Sequence, residues 1–400
     1  MSDFSYLGSE LSKLRQSKNV SPATLADYCG VRETTIRNFE AGRFFNPSLL
    51  NSILNYFNCR LTIKPLEMDC LPHLFDIIVP MQDVKEKKNK PTCIEICAGA
   101  GGQALGLEQA GFEHLALVEY EKEYCSALSE NRPEWNVICS DVKNFSGLSY
   151  KGKVDLLAGG VPCPPFSVAG KQLGNKDERD LFPEAIRLVR EIRPKAVMLE
   201  NVRGFLDPVF EKYRNNILSQ IQLLGYKVQI KLLHASDYGV PQLRPRVVIV
   251  GIRNDIDGSF TYPEPDSSQM PTVATALLDL MTANNWKGAE AWAQIACKIA
   301  PTIVGGSKKH GGPDLGPVRA RRAWAELGID GLGVADEAPA SDFSGMPKLT
   351  PRMIARIQGF PDDWNFAKGK TKACRMIGNA FPPPVAMAVG KQILKALEQK

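Results

Sequence analysis

The segment Asp155-Leu-Leu-Ala-Gly-Gly-Val-Pro-Cys-Pro-Pro-Phe-Ser167 sets one cysteine, Cys163, among three prolines just after a short apolar run. A thiolate is a potent nucleophile near neutral pH, and a proline-stiffened loop at a strand end holds it out of the core. Most cysteines are small buried hydrophobes, so this placement sets Cys163 apart. A second stretch, Cys93-Ile-Glu-Ile-Cys-Ala-Gly-Ala-Gly-Gly102, runs from a strand into glycines at a helix start. Glycines there let a ligand approach the backbone and the helix N-terminus, although a purely structural turn has the same appearance. Glu119 closes the next apolar run, where a ribose-binding carboxylate stands in a nucleotide-type βαβ unit. The GxGxxG spacing is not met and no P-loop lysine follows, which favours an adenosine ligand without a pyrophosphate.

These groups need a scaffold that ends several strands in one place. The runs Cys93–Cys97, His114–Glu119, Val154–Ala158, Ala196–Glu200 and Val247–Ile252 alternate with amphipathic stretches, the first starting at Gln103. The pattern predicts an α/β fold with a doubly wound, mainly parallel sheet. Upstream, Leu7, Leu11 and Leu14 share a helical face, and Ser21-Pro22 offers an N-cap followed by proline. The charged run Val84 to Pro91 reads as a solvated linker. Glycine and proline accumulate from Pro263 to Lys348, where helical periodicity is confined to Arg319–Leu327, and strand and helix signals return near Thr350. The expected organisation is a small all-α domain over 1–67, a linker over 68–91, a catalytic domain over 92–262, a smaller lobe over 263–348 and a return segment over 349–400.

The Pro-Cys dipeptide of the Cys163 loop resembles the catalytic loop of the cytosine-5 DNA methyltransferases. Further segments resemble that family's motifs in family order. They are Ala98-Gly-Ala-Gly-Gly102, Glu119, Ser140-Asp141-Val142, Arg179-Asp-Leu-Phe-Pro-Glu184, Glu200-Asn201-Val202, Gln242-Leu-Arg-Pro-Arg246, Gln358-Gly-Phe-Pro361 and Gly378-Asn-Ala-Phe-Pro-Pro-Pro384. The resemblance implies a sheet of the S-adenosylmethionine-dependent methyltransferase type with a target-recognition lobe at 263–348. It implies that S-adenosyl-L-methionine is held by Cys97, Ala98, Gly99, Gly101, Gly102, Glu119, Asp141, Val142, Pro162, Asn379 and Phe381. It also implies that the Cys163 thiolate attacks carbon 6 of a cytosine flipped out of a DNA duplex. Glu200 then meets ring nitrogen 3 and the exocyclic amine, and Arg246, supported by Arg244, meets the ring carbonyl. Three positions depart from the common pattern: Cys97 replaces an aromatic, Pro164 a glutamine, and Phe381 a smaller residue.

Leu25 to Gly42 resembles the phage-repressor-like helix-turn-helix family, with Gly30 at the turn. That resemblance places Arg32, Glu33, Thr34, Thr35, Arg37 and Asn38 on a recognition helix, all but Glu33 expected to contact DNA. A module for protein contacts is the alternative, and local charge decides little: eight basic residues face six acidic ones over 1–67. The whole chain has 400 residues with Lys+Arg 49, Asp+Glu 44 and a formal charge of +5, too dilute a surplus to name a partner. It is concentrated between 301 and 325, where Lys308, Lys309, Arg319, Arg321 and Arg322 oppose only Asp314 among closely spaced glycines and prolines. Such a stretch suits phosphate neutralisation and groove entry. Ser167 and Lys171, on the loop after Cys163, are expected to close on the same DNA. The apolar runs are too short to span a bilayer, the ten cysteines form no CxxC pair, and only four histidines are present. A membrane span, a disulfide framework and a structural metal are therefore not expected. The expectation is a cytoplasmic restriction–modification methyltransferase paired with an endonuclease, its N-terminal domain reading operator DNA of its own operon. Transfer RNA methylation and a transcription factor with an inactive methylase fold are the competing readings.

Overall fold

The computed structural model describes residues 3–57, 59–60, 79–80, 90–162, 180–266, 270–305 and 314–399. The chain divides into two units, residues 1–89 and 90–400. In the first, four helices form: α1 (Asp3–Ser17), α2 (Pro22–Cys29), α3 (Glu33–Glu40) and α4 (Pro47–Tyr56). The side chain of Ser21 caps α2 by accepting from the Thr24 N–H, and Pro22 occupies the first turn, where a missing N–H costs nothing. Gly30 turns the chain into α3 at φ +65°, a left-handed conformation that favours glycine. The α1, α2, α3 and α4 faces meet in a core of Leu7, Leu11, Leu25, Ile36, Phe39, Leu50 and Ile53. Arg15 locks α1 to α3 by donating to both oxygens of Glu40, at 2.6 and 2.9 Å. Two short strands, β1 (Cys59–Arg60) and β2 (Val79–Pro80), pair antiparallel, so part of the stretch expected as a linker is paired within this unit.

The second unit is built on seven strands: β3 (Thr92–Ile96), β4 (Glu113–Glu119), β5 (Val137–Cys139), β6 (Leu156–Gly160), β7 (Ala196–Val202), β8 (Tyr226–His234) and β9 (Pro245–Arg253). Their order is β5-β4-β3-β6-β7-β9-β8, parallel from β5 to β7 and antiparallel at β9 and β8. The expected mainly parallel, doubly wound sheet is thus present. Helices cover both faces because the central strands are buried on both sides. On one face α7 (Phe182–Ile192) and α8 (Glu211–Leu223) pack through Phe182, Ile186, Val189 and Ile221 onto Ile94, Leu157 and Leu199. On the other, α5 (Gly102–Ala110) and α14 (Pro383–Glu398) bring Leu107, Val385 and Val389 against Leu156, Met198 and Val250. Strand β8 lacked a sequence signal because it is an edge strand whose Lys227, Gln229 and Lys231 alternate with half-buried apolar residues.

The remaining helices are α6 (Lys122–Asn131), α9 (Val273–Met281), α10 (Ala289–Ile295), α11 (Val318–Ala325), α12 (Pro351–Ile357) and α13 (Lys370–Asn379). Helical structure within 263–348 is therefore more extensive than the single run expected there. Thr272 opens α9 with a reciprocal capping box, and Val273, Leu277 and Met281 bury one face. The return segment after Thr350 is helical throughout its described elements, without the expected strand. Leu277, Trp292, Trp324, Ile354 and Ile377 share one cluster with Leu105, Leu117, Leu128 and Trp135. The inserted stretch therefore packs on the sheet unit through a common core.

Candidate active site

Strands β3, β4, β6 and β7 are parallel neighbours, so their carboxyl ends converge on one edge, where ligands of open α/β sheets bind. That edge carries the glycine loop after Ile96, Glu119 at the end of β4, Val161-Pro162 after β6, and Glu200 near the end of β7. Glu119 is buried, and its two oxygens accept from the Gly99 N–H at 2.7 Å and the Glu121 N–H at 2.8 Å. Burial raises its pKa, and the backbone donors oppose that shift. Each carboxylate oxygen has a second lone pair, so the group can still accept from a ligand hydroxyl. On β5's side, Asp141 caps a short 3-10 turn by accepting from the Lys143 N–H, and Val142 is buried beneath it.

The glycines divide into two kinds. Gly99, at φ +56°, has nothing closer than 3.9 Å to the place a Cβ would occupy. At Gly102 a Cβ would lie 2.1 Å from the Phe381 carbonyl oxygen, and at Gly101 it would meet Leu128 and Trp364 at 2.6 and 2.9 Å. Gly99 leaves room on its Cβ side, while at Gly101 and Gly102 the space a side chain would need is taken by the protein's own atoms, so both must be glycine for packing. Trp364 seals the loop by donating its indole N–H to the Ala100 carbonyl at 3.1 Å. Sequence reasoning missed it; its signal was a tryptophan three residues beyond the Gln358-Gly-Phe-Pro361 segment. Ala98 is buried, and Pro162 and Asn379 are exposed. Phe381 lies in the apolar core beside Leu107 and Val385, so its carbonyl rather than its ring faces the loop. Cys97 holds φ +53°, and burial pushes its thiol far above the ordinary range, as it does for Cys93.

Glu200 and Arg246 form an ion pair, Nε to Oε1 at 2.9 Å, on the antiparallel strands β7 and β9. Burial raises the Glu200 pKa, and the nearby Arg246 and Arg244 charges draw it back. Asn201 donates from Nδ2 to the Val161 carbonyl at 2.8 Å, fixing the chain just before Pro162 and Cys163. Arg244, expected to support Arg246, is fully buried and donates to the carbonyls of Ile303, Gly378 and Ala380 at 2.9, 2.7 and 2.7 Å. Its two terminal nitrogens are thus engaged by backbone carbonyls, while its Nε has no partner among the described residues. Gln242 joins the same web by donating to Gln358 Oε1 and accepting from the Ile303 N–H, and Gln358 donates to the Ala380 carbonyl.

Cys163, Ser167, Lys171, Lys308 and Lys309 lie outside the described residues. On α11, Arg319 and Arg322 are exposed, whereas Arg321 is half-buried with its stem against Gly331. In the first unit, Arg32 precedes α3 at its N-cap, Thr34 is exposed and Thr35 half-buried. Arg37 pairs with Glu33 at 2.6 Å, and Arg43 donates to Asn38 Oδ1 at 2.9 Å.

The family model for C-5 cytosine-specific DNA methylases matches residues 91–395. The chain is 58% identical over 312 residues to the Type II methyltransferase M.NgoMIV of Neisseria gonorrhoeae, covering 77% of this chain and 99% of that protein. It is 56% identical over 313 residues to the Type II methyltransferase M.NaeI of Lentzea aerocolonigenes, covering 77% of this chain and 75% of that one. Among solved structures, a Spodoptera frugiperda DNMT2 mutant superposes with a TM-score of 0.54 at 18% identity, covering 77% of this chain and all of that one, a likeness of fold.

Proposed function

The chain belongs to the C-5 cytosine-specific DNA methylase family, and from that premise we propose that it is a Type II restriction–modification enzyme that methylates a flipped cytosine within a specific duplex sequence. The observation that carries this reading is the Glu200–Arg246 pair, set on the sheet edge beside the Asn201-pinned Val161-Pro162 that leads directly into Cys163. A carboxyl and a guanidinium in that arrangement match the nitrogen and carbonyl edge of a cytosine ring.

Carbon 5 of cytosine is too weak a nucleophile to take a methyl group unaided. Addition of the Cys163 thiolate to carbon 6 forms a C–S bond and pushes the ring electrons toward carbon 5 and nitrogen 3. Glu200, whose raised pKa lets it keep a proton at higher pH than an ordinary carboxyl, gives that proton to nitrogen 3. Arg246 holds the ring carbonyl and opposes its developing charge. After transfer, water removes the carbon 5 proton, the ring double bond reforms as the thiolate departs, and nitrogen 3 returns its proton to Glu200. S-adenosylmethionine, the family's cofactor, supplies the methyl group as an electrophilic sulfonium. Glu119 and the open backbone at Gly99 fit its adenosine moiety, with Asp141, Val142 and Asn379 nearby in the assigned role. Extruding the base costs a few kcal/mol, which contacts from the Cys163 loop and from the 263–348 stretch offset. Arg319 and Arg322 are the phosphate contacts of α11, and Arg321 serves packing.

Bisulfite sequencing of DNA from cells producing the chain tests this function. Conversion-resistant cytosines at one short recurring sequence are expected. A uniformly convertible genome overturns it, and methylated transfer RNA in the same cells moves the substrate to RNA.

We propose further that the N-terminal unit binds operator DNA of the chain's own operon, alongside an endonuclease gene. Thr34 and Thr35 are the base-edge contacts of α3, because Arg37 and Asn38 are engaged by Glu33 and Arg43. The full chain carrying Thr34→Ala and Thr35→Ala should bind upstream DNA at least about tenfold more weakly in a gel shift, while methylation is unchanged. Equal shifts by both proteins remove the assignment.

A further inference from the structure

Helix α5 carries a polar residue where its packing face is otherwise apolar. Gln103 is 3% exposed, and neither its amide nitrogen nor its amide oxygen has a hydrogen-bond partner. A buried amide left unpaired is costly, so its retention calls for a use. Its position supplies one. The point where a Cβ on Gly160 would lie is 3.4 Å from Glu200 Oε2, 3.9 Å from the Cys97 carbonyl oxygen and 4.0 Å from the Gln103 amide oxygen. The amide oxygen, an oxygen of Glu200 and the carbonyl of the glycine loop thus surround one common point. Turning the amide by half a revolution puts its NH2 group in the oxygen's place, and no existing hydrogen bond opposes that turn. Arg246 meanwhile holds the opposite oxygen, Oε1.

Resting on the methyltransferase reading above, we propose that Gln103 is a positioning residue for Glu200. Its two N–H groups bridge Glu200 Oε2 and the Cys97 carbonyl, and so set the carboxyl's plane against the ring from beneath Gly160. Gly160 leaves that common point open, where a Cβ would sit at ordinary contact distance from all three groups. Two anchors on the two oxygens, Arg246 and Gln103, fix an orientation that either alone leaves free to rotate.

Gln103→Met tests this in the full-length protein, since methionine keeps the volume and removes the amide. With the bridge serving catalysis, kcat for methyl transfer should fall about tenfold, and KM for DNA and for S-adenosylmethionine should stay within about twofold. Thermal melting should be unchanged or higher, because an isosteric apolar group fits an apolar site. A structural role alone moves melting and not kcat. Unchanged kcat overturns the proposal, as does a raised KM for S-adenosylmethionine at unchanged kcat, which would assign the amide to the cofactor. Should Gln103→Met fail to fold, Gln103→Leu is read by the same criteria. Wild-type protein assayed in parallel separates the two levels: absence of cytosine methylation there overturns the underlying reading, and with it this one.

Discussion

Replacing Cys163 by alanine is expected to lower methyl transfer to duplex DNA by at least about 10⁴-fold while leaving S-adenosylmethionine affinity within about twofold. At room temperature that factor corresponds to about 5.5 kcal/mol of lost transition-state stabilisation. The size follows from what the remaining groups can do. Glu200 and Arg246 can hold a cytosine ring and polarise it, yet neither can form the bond at carbon 6 that makes carbon 5 nucleophilic. Alanine also leaves the ring unsaturated at the moment the methyl group must be accepted. Cofactor affinity is spared because the groups assigned to it lie elsewhere on the edge: Glu119 closes β4 and is held by Gly99 and Glu121. Labelled methyl transfer to DNA, together with titration calorimetry for the cofactor, measures both halves. Transfer within tenfold of wild type would remove the thiolate from the mechanism.

Much of this site is legible in the sequence because its groups occupy short strings at strand ends. A parallel strand presents its last residue and the next few to the same edge, so Gly99, Glu119, Pro162 and Glu200 each announce themselves beside a β-branched run. The sheet is legible for the same reason, as five of its strands are buried apolar runs. Features that depend on distant partners escape such reading. Glycines 101 and 102 have a packing reason that the local string does not show, since the space a Cβ would need is taken by Trp364 and by the Phe381 carbonyl, more than 250 positions away. Strand β8 fails the apolar test because one edge of it meets solvent. Helix α9 is obscured by the prolines and glycines around it, although its own buried face is regular. Gln103 is the reverse case, an ordinary helix residue by propensity whose interest lies wholly in its burial.

The two arginines of Gln242-Leu-Arg-Pro-Arg246 show most directly how far the motif and its physics differ. They read as a matched pair, but β9 begins at Pro245, so Arg246 joins the strand and Arg244 turns inward before it. Burial presses against the Arg244 charge, and Glu200 nearby supports it. Its three carbonyl partners belong to the inserted stretch, at Ile303, and to the C-terminal end of α13, at Gly378 and the capping Ala380. Arg244→Met therefore leaves the Ile303 and Gly378 carbonyls without this donor and the Ala380 carbonyl with Gln358 alone, a loss of roughly 3–5 kcal/mol at about 1–3 kcal/mol for each unsatisfied group. In a unit of this size, that should lower the melting temperature by at least about 5 °C. The loss is also directional. The freed helix end leads into Phe381, whose carbonyl fills the space at Gly102, so KM for S-adenosylmethionine should rise along with the fall in melting temperature. Arg244→Lys should recover only part of either effect, because one ammonium cannot reproduce the guanidinium's planar fork toward carbonyls from two segments. A lysine variant equal to wild type in melting and KM would show that charge, rather than the fork, holds the helix end in place.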